Sequence, residues 1–317
     1  MQNEKDISVV IPIYNEQETI PELYQRLTAS LSSMTNAYEL IFVNDGSKDR
    51  SLEVLMDIAE NDDKVFYINF SRNFGHQIAL SAGLEFSKAK CTVLMDGDLQ
   101  DPPELIPKLY DKYQEGYEVV YAKRQSRDGE TWLKKTTAKI FYRSFKKMTP
   151  FDIPLDTGDF RLIDQKVVLA LNKMTERSKF LRGQIAWLGF RQTFVLFDRE
   201  SRKHGVTGYS YGKLLKLALD GVTSFSDKPL LIVSRMGFLI SFFSFLVILY
   251  AIFSHFVLKH TITGWTSLII SSMFIGGIQL LSIGVIGEYI SRINNNTRER
   301  PLFIIQDTNI KSEIKDE

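Results

Sequence analysis

Cys91-Thr92-Val93-Leu94-Met95-Asp96-Gly97-Asp98-Leu99-Gln100-Asp101 reads as a short apolar strand that ends in two carboxylates one residue apart. Gly97 between them lets the backbone turn tightly. In extended backbone alternate side chains share a face, so Asp96, Asp98 and Gln100 would offer three oxygens to one cation. Hard oxygen ligands of this kind suit Mg²⁺ or Mn²⁺ held against a diphosphate. Asp-x-Asp alone is common and is often only a solvated turn. Its position after a strand, and its neighbours, decide otherwise here.

Upstream, residues 7–13 form an apolar, β-branched strand that ends at Pro12 and Asn15, and residues 16–32 have helical spacing. A second strand over 38–44 runs into Asp45-Gly46-Ser47 and a helix from about 51 to 60. A third strand over 65–70 leads to a helix over 75–87, and the 91–95 strand follows. Pro102 opens another helix, with Asp101 as its cap, and 119–122 is a fifth strand. Further strands and a helix over 155–197 close the domain. Strands alternating with helices predict an α/β layer with a mostly parallel sheet. Ligands of such sheets bind beyond the carboxyl ends of the strands. Asn15, Asp45, residues 71–73 and residues 96–100 all fall at that edge.

The net charge of +1 gives no global field for nucleic acid. The single cysteine, Cys91, lies inside a strand pattern, cannot form an internal disulfide and fits a reducing compartment. The N-terminus is polar, and no signal peptide is visible. Residues 123–147 are basic and amphipathic, suited in part to anionic headgroups.

The last third differs. Residues 233–258 and 265–290 are apolar runs of the length that crosses a bilayer core, about 20 residues. The connector 259–264 is short, which predicts a transmembrane hairpin. Lys259 is the connector's lone lysine or arginine, whereas Lys228, Arg235, Arg292, Arg298 and Arg300 flank the pair, so both termini are expected in the cytoplasm. Residues 211–232 precede the first span; Leu214, Leu215, Leu217 and Leu219 beside Lys213 and Lys216 suggest a helix on the membrane surface. His255 and Glu288 lie near span ends and read as interfacial. The expected division is a catalytic domain over 1–210, a juxtamembrane segment over 211–232, a hairpin over 233–291 and a cytoplasmic tail over 292–317.

The segments Ser8-Val-Val-Ile-Pro-Ile-Tyr-Asn-Glu16, Val43-Asn-Asp-Gly-Ser47, Ser71-Arg-Asn-Phe-Gly75, Asp96-Gly-Asp-Leu-Gln-Asp-Pro102, Asp156-Thr-Gly-Asp-Phe-Arg161 and Gly287-Glu-Tyr-Ile290 occur in that order. Together they resemble the family 2 glycosyltransferases of GT-A fold. More narrowly, they resemble the polyprenyl-phosphate glycosyltransferases, which include dolichol-phosphate mannose synthases and bactoprenol glucosyltransferases. The resemblance implies a GT-A nucleotide-sugar-binding fold with a C-terminal membrane hairpin. It further implies an inverting, metal-dependent transfer of one sugar from a UDP-sugar to undecaprenyl phosphate at the cytoplasmic face of the bacterial inner membrane. Glucose is the expected sugar; N-acetylglucosamine, mannose or an aminoarabinose-type sugar, another lipid or glycan acceptor, and a non-catalytic membrane scaffold are the alternatives.

By the same resemblance, Pro12, Tyr14, Asn15 and Glu16 line the nucleotide pocket, and Asp45 accepts a hydrogen bond from the base. From the residues alone, Asp45-Gly46 is equally a turn with Ser47 or Asp49 capping the next helix. Asn44 stands where the family often has another acid. Arg72, Asn73 and Gly75 precede a helix, a setting that suits an anion. Asp96, Gly97, Asp98 and Gln100 belong to the metal and sugar-diphosphate site, with Mg²⁺ or Mn²⁺ as the cofactor. Asp159 is the first candidate to assist the nucleophile and Asp156 the second; an Asp159–Arg161 ion pair is the structural alternative. Arg124, Arg127, Arg199 and Arg202 suit the phosphate groups of the two substrates. In Arg202-Lys-His-Gly-Val-Thr-Gly-Tyr209, Thr207 and Gly208 replace the family's usual serine and lysine. Processive family 2 synthases carry Gln-x-x-Arg-Trp late in the domain; Gln184-Ile-Ala-Trp187 lacks that arginine, which favours single transfer. The glycine-bearing second span (Gly276, Gly277, Gly284, Gly287) allows self-association, and the family includes tetramers.

Overall fold

Strand β1 (Ile7–Ile13) is buried at every position. A strand covered on both faces reads as a continuous apolar run and belongs in the middle of a parallel sheet. In the computed structural model, which describes residues 5–125, 157–177, 179–197, 228–253 and 264–310, β1 lies between β2 (Tyr38–Asn44) and β4 (Cys91–Leu94), parallel to both. Beyond β2 runs β3 (Val65–Phe70), also parallel. Strand β6 (Thr157–Asp164) is inserted antiparallel between β4 and β5 (Val119–Arg124), and β7 (Gln192–Phe197) pairs parallel with β5. Strand β8 (Ile305–Thr308) closes the other edge against β3, so the order is β7-β5-β6-β4-β1-β2-β3-β8.

Helices cover both faces. Val9, Ile11 and Ile13 of β1 pack with α1 (Ile20–Ser32) and α4 (Ile106–Gln114) through Leu23, Leu27, Leu31 and Leu109. Val10, pointing the other way, packs with α3 (His76–Phe86) through Ala79 and Leu80; the same cluster takes in α5 (Gln165–Asn172) and α6 (Leu181–Leu188) through Val167, Val168 and Ile185. This alternation is the period of two expected of extended chain. Helix α2 (Ser51–Asn61) adds Leu55 to the first core.

Several boundaries differ from expectation. Helix α1 begins at Ile20, not residue 16, because Asn15 takes a left-handed φ of 57° and residues 17–19 form a turn with Pro21 just inside the helix. Strand β5 extends to Arg124, two residues further, because β7 runs beside it as far as Arg124↔Phe197. The helix after Pro102 starts as a 3-10 turn, Pro103–Leu105, before α4, and its cap position, Pro102, supplies no side-chain cap.

The segment 292–317, expected as a cytoplasmic tail with no element of its own named, contains β8, a strand of the main sheet. The chain divides into two units, with the sheet unit reclaiming the chain from Arg300 onward and the second unit holding α7 (Lys228–Phe253) and α8 (Trp265–Thr297). Within α8, Ser271–Thr297 is long and apolar enough to cross a membrane; Leu230–Ile240 is a shorter apolar stretch of α7. The two helices touch each other. Phe238, Phe243, Met273 and Leu280 lie exposed along them, an apolar surface of the kind that marks a lipid or protein contact.

The α3–β1 contact depends on Gly83. A Cβ there would lie 2.2 Å from Val10 Cγ1, inside any real contact. Gly83→Ala is therefore expected to destabilise the sheet unit by about 1–3 kcal/mol through overpacking. A thermal melt in detergent should show a lower Tm, and adding Val10→Ala should restore part of it.

Candidate functional site

The carboxyl ends of β1 and β2 are joined by side chains that cap each other's turns. Asn15 Oδ1 accepts from Lys48 N at 2.8 Å, Ser47 Oγ accepts from Asn15 N at 3.0 Å, and Ser51 Oγ accepts from Glu16 N at 2.9 Å. Pro12 is within β1, and Tyr14 just past it leaves its ring 44% exposed at the strand end. The cap position of α2, Arg50, supplies no side-chain cap; Asp49 just before it accepts from Ser51 N at 3.0 Å. Asn44 links β2 to β3 by donating to Asn69 Oδ1 at 2.8 Å.

Asp45 is buried and binds the turn after β3. Its carboxylate accepts from Phe74 N at 2.6 Å and from Gly75 N at 3.0 Å, while its carbonyl accepts from Asn73 Nδ2 at 3.1 Å. Burial pushes the Asp45 carboxyl up, against the opposing pull of the Phe74 and Gly75 amides. Next to it, Gly46 has φ 65°, and a Cβ there would lie 2.5 Å from the Arg72 carbonyl carbon, so only glycine lets the two turns approach this closely. Arg72 itself is exposed, with its guanidinium 4.2 Å above the Phe74 ring.

The Asp96–Gln100 segment is a bend, not extended chain. Leu99 has φ 60°, and Gln100 N donates to Asp98 Oδ1 at 3.2 Å. The expectation that Asp96, Asp98 and Gln100 share one face by strand alternation therefore fails, because strand geometry ends at Leu94. Gly97 sits against the end of β1, where a Cβ would lie 3.1 Å from Pro12 O.

The structure gathers a different set around Asp96. Ligand atoms of His76, Asp96 and Asp159 lie within 4.8 Å of one another. Asp159 comes from β6, whose Arg161 is paired with Leu94 of β4. His76 is the first residue of α3. Its Nε2 is 3.2 Å from Asp159 Oδ2 and 3.4 Å from Asp96 Oδ1.

Asp159, only 7% exposed in its side chain, is surrounded by donors. Arg182, in the first turn of α6, approaches it with two nitrogens, Nε at 2.8 Å and Nη2 at 3.2 Å. Gln77 Nε2 donates to it at 3.0 Å, while Gln77 Oε1 accepts from Leu181 N at 3.1 Å, tying α3 to α6. Arg161, 1% exposed, lies 3.5 Å from Asp159 Oδ1 and donates to the Gly158 carbonyl at 2.8 Å. Burial would raise the Asp159 carboxyl, but Arg182, His76 and Arg161 hold it well below the usual carboxylate range. At His76 burial opposes the charged form, yet the Asp159 hydrogen bond and the charges of Asp96 and Asp159 push it up to about 9. Burial also raises the Asp96 carboxyl, with His76 opposing and Asp159 and Asp98 adding to the rise.

Asp96 Oδ1 is buried and makes no hydrogen bond. An acceptor left this way calls for a cation or a donor. Carboxylate oxygens suit a divalent ion such as Mn²⁺ or Mg²⁺, and His76 could join them only as the neutral imidazole. Asp96 is the member of the set with capacity to spare, since the oxygens of Asp159 already serve Arg182, Gln77 and His76.

Of the residues singled out from sequence, Pro12, Tyr14, Asn15, Glu16, Asp45, Arg72, Asn73, Gly75, Asp96, Gly97, Asp98 and Gln100 all fall at or next to the strand ends or in the turns that follow. Arg124 ends β5, with Nη2 3.7 Å from where a Cβ on Gly158 would stand. Asp156, Arg127, Arg199 and Arg202 lie outside the described residues, as do most of the basic segment and of the juxtamembrane stretch. Sequence reasoning missed His76, Gln77 and Arg182. His76-Gln77 directly follows Gly75 and was legible as a helix start carrying two donors. Arg182 has no local signal, because its partner is 23 residues away.

The model of the Glycosyl transferase family 2 matches residues 8–171. The chain is 50% identical over 94% of its length, and 93% of the relative's, to the uncharacterized glycosyltransferase YkcC of Bacillus subtilis (strain 168). It is 38% identical over 95% of its length to the bactoprenol glucosyl transferase of Shigella phage SfX, covering 98% of that protein. Among solved structures, it is similar to S. aureus TarS 1-349 in complex with UDP-GlcNAc, with 15% identity, a TM-score of 0.45, and 68% of this chain and 66% of that one covered.

Breaking the Asp159 cage strands a buried charge. Arg182 is itself 35% exposed, so its loss is discounted for solvent to about 2 kcal/mol. Arg182→Ala should lower the midpoint of chemical unfolding accordingly. Arg182→Lys should recover only part of it, because an ammonium cannot make the two-nitrogen contact.

Proposed function

The chain belongs to glycosyl transferase family 2, and on that premise we propose that it transfers one glucose, with inversion, from UDP-glucose to undecaprenyl phosphate at the cytoplasmic face of a bacterial membrane. The observation that carries this reading is the Asp96–His76–Asp159–Arg182 constellation at the carboxyl edge of the sheet. It places a carboxylate oxygen with spare capacity beside a fixed group of cations, which suits a metal-bridged diphosphate and an incoming phosphate. The likeness to a bactoprenol glucosyl transferase over almost the whole of both chains supports the lipid acceptor.

In this reading a phosphate oxygen of the lipid forms a bond to the sugar's anomeric carbon as the bond from that carbon to the diphosphate oxygen breaks and UDP leaves. The turn over Pro12, Tyr14, Asn15 and Glu16 borders the nucleoside, with the exposed Tyr14 ring available to it. Asp45 holds the Arg72-Asn73-Phe74-Gly75 turn in place and keeps Arg72 at the pocket. Asp96, assisted by Asp98 and Gln100 from the same bend, would hold Mg²⁺ or Mn²⁺, which when bound offsets the charge developing on the departing diphosphate. Arg124, with Arg127, Arg199 and Arg202, grips phosphate groups. Asp159 orients the acceptor through the Arg182 and His76 it holds, with Asp156 as the second candidate. A phosphate monoester with its second pKa near 6 is already largely ionised near neutral pH, so the step demands alignment more than proton removal.

Connectivity supports the membrane topology. The chain leaves the sheet unit, passes through α7 and α8, and returns to the sheet as β8. A folded sheet lies on one side of a bilayer, so the helices between its parts cross an even number of times. If Ser271–Thr297 spans, α7 spans too. The lysines and arginines outside the connector then favour the cytoplasmic side for the sheet.

Membranes containing the chain, given labelled UDP-glucose and undecaprenyl phosphate, should yield a labelled lipid that mild acid releases. Asp96→Asn should lower that transfer by about a hundredfold or more, the scale of losing a group that offsets transition-state charge. Near-normal transfer by Asp96→Asn would remove the residue from the mechanism. A product stable to mild acid would remove the sugar–phosphate linkage.

A further inference from the structure

Strand β8 and its flanks do more than cover an edge. Its ladder with β3 is short: Ile68↔Thr308, Asn69↔Asp307 and, after a shift in register, Phe70↔Ile305. Side chains reinforce it. Asn309 accepts from Tyr67 N at 2.8 Å and donates to Val65 O at 3.0 Å, Thr308 Oγ1 donates to Tyr67 O at 2.6 Å, and the Tyr67 hydroxyl donates to Asp307 at 2.9 Å. These contacts fix the tail against β3 at its middle. The contacts of interest lie at the other end, where β3 runs into the site.

There, Ser71 N donates to Ile304 O at 3.0 Å. Phe303 stacks on Phe70 with centroids 5.2 Å apart and planes at 19°, and Phe70 meets Phe74 edge to face at 5.6 Å and 84°. Phe74 and Gly75 are the residues whose amides hold Asp45, and His76 follows immediately. An unbroken run of contacts therefore leads from the tail through Phe303, Phe70 and Phe74 to Asp45 and the start of α3. A strand that only sealed the edge would need the ladder alone; the aromatic relay and the Ser71 amide bond address the turn instead.

We infer that residues 303–310 are a positioning element for the donor site: the tail holds the Ser71–Gly75 turn in the conformation that receives the nucleotide sugar. The proposal rests on the donor pocket assigned above. Phe303 acts through Phe70 and Phe74 and touches no substrate. Aromatic pairs of this kind carry energies that, lost from the bound state, translate into affinity changes of about tenfold.

The full-length chain in detergent carries the test, as wild type, Phe303→Ala, Phe303→Leu and Asn309→Ala. UDP with Mn²⁺ is titrated by calorimetry, and amide hydrogen exchange is followed in peptides covering 70–78 and, for comparison, β1 and β2. Phe303→Ala should weaken UDP binding about tenfold and speed exchange in 70–78 while β1 and β2 stay protected. Phe303→Leu should lie close to wild type. In transfer assays, KM for UDP-glucose should rise with kcat changed less than about twofold. Unchanged binding and exchange overturn the proposal. So does loosening spread evenly over β1, β2 and 70–78, which would make the tail a stabiliser of the whole sheet. If Phe303→Ala does not fold, Asn309→Ala is read the same way; if neither folds, the tail is core and a local positioning role fails. Wild type that binds UDP with Mn²⁺ but transfers no sugar overturns the proposed reaction and leaves this inference standing.

Discussion

The carboxylate of Asp159 is an ion removed from water, and much of the site is arranged to make that tolerable. Desolvating a carboxylate costs several kcal/mol unless charged and hydrogen-bonding partners replace water. Here the partners come from three separate parts of the chain: Arg182 from α6, His76 and Gln77 from α3, and Arg161 from β6 itself. Gln77 also accepts from Leu181, so the first turns of α3 and α6 are fixed to each other as well as to the strand. The shared carboxylate therefore sets where His76 stands, and His76 in turn faces Asp96. Without the antiparallel insertion of β6 beside β4, Asp159 and Asp96 would not reach the same histidine.

This arrangement shifts the chemistry assigned to Asp159. A carboxylate that already accepts from a guanidinium, an amide and an imidazole, and is held well below the usual range, is a poor proton acceptor. Its physical work is to position donors: it orients Arg182 and His76 at the carboxyl edge of the sheet. Asp96 has the opposite character. It carries an oxygen with no hydrogen bond, and burial makes its charge costly, offset only in part by His76 3.4 Å away. Two acids only a few ångströms apart thus differ in kind: one is saturated by the protein's own donors, and the other keeps an oxygen without a hydrogen bond.

The sheet was largely legible in the sequence because its central strands are buried on both faces and read as unbroken apolar runs; β1, β2 and β3 have the expected limits. The strand-end polar clusters were legible for the same reason, since a parallel sheet delivers every such turn to one edge. What was illegible involved partners distant in sequence. Arg182 looks like any arginine near a helix start until β6 is folded. The bend at Leu99 could not be read either, because nothing in Asp-Gly-Asp-Leu-Gln marks leucine for a left-handed φ. The short Ile305–Thr308 strand follows a long apolar helix and is isolated from other strand patterns, so it read as a tail. Its partners lie 240 residues or more upstream in the case of Tyr67.

That separation has a consequence for how the chain assembles. Strand β3 is made early and α7 and α8 late, so the β3 edge stays open until both apolar helices have been synthesised. An open edge is a template for unwanted pairing, and contacts this distant in sequence are slow to form. The bulge between Asn69 and Phe70 and the early packing of α2 on β3 limit the hazard but do not remove it. The last strand can therefore join the sheet only after both helices have been made. The residues that brace Phe70 and Ser71 are therefore among the last to be made, and the turn after β3 is completed from the far end of the chain.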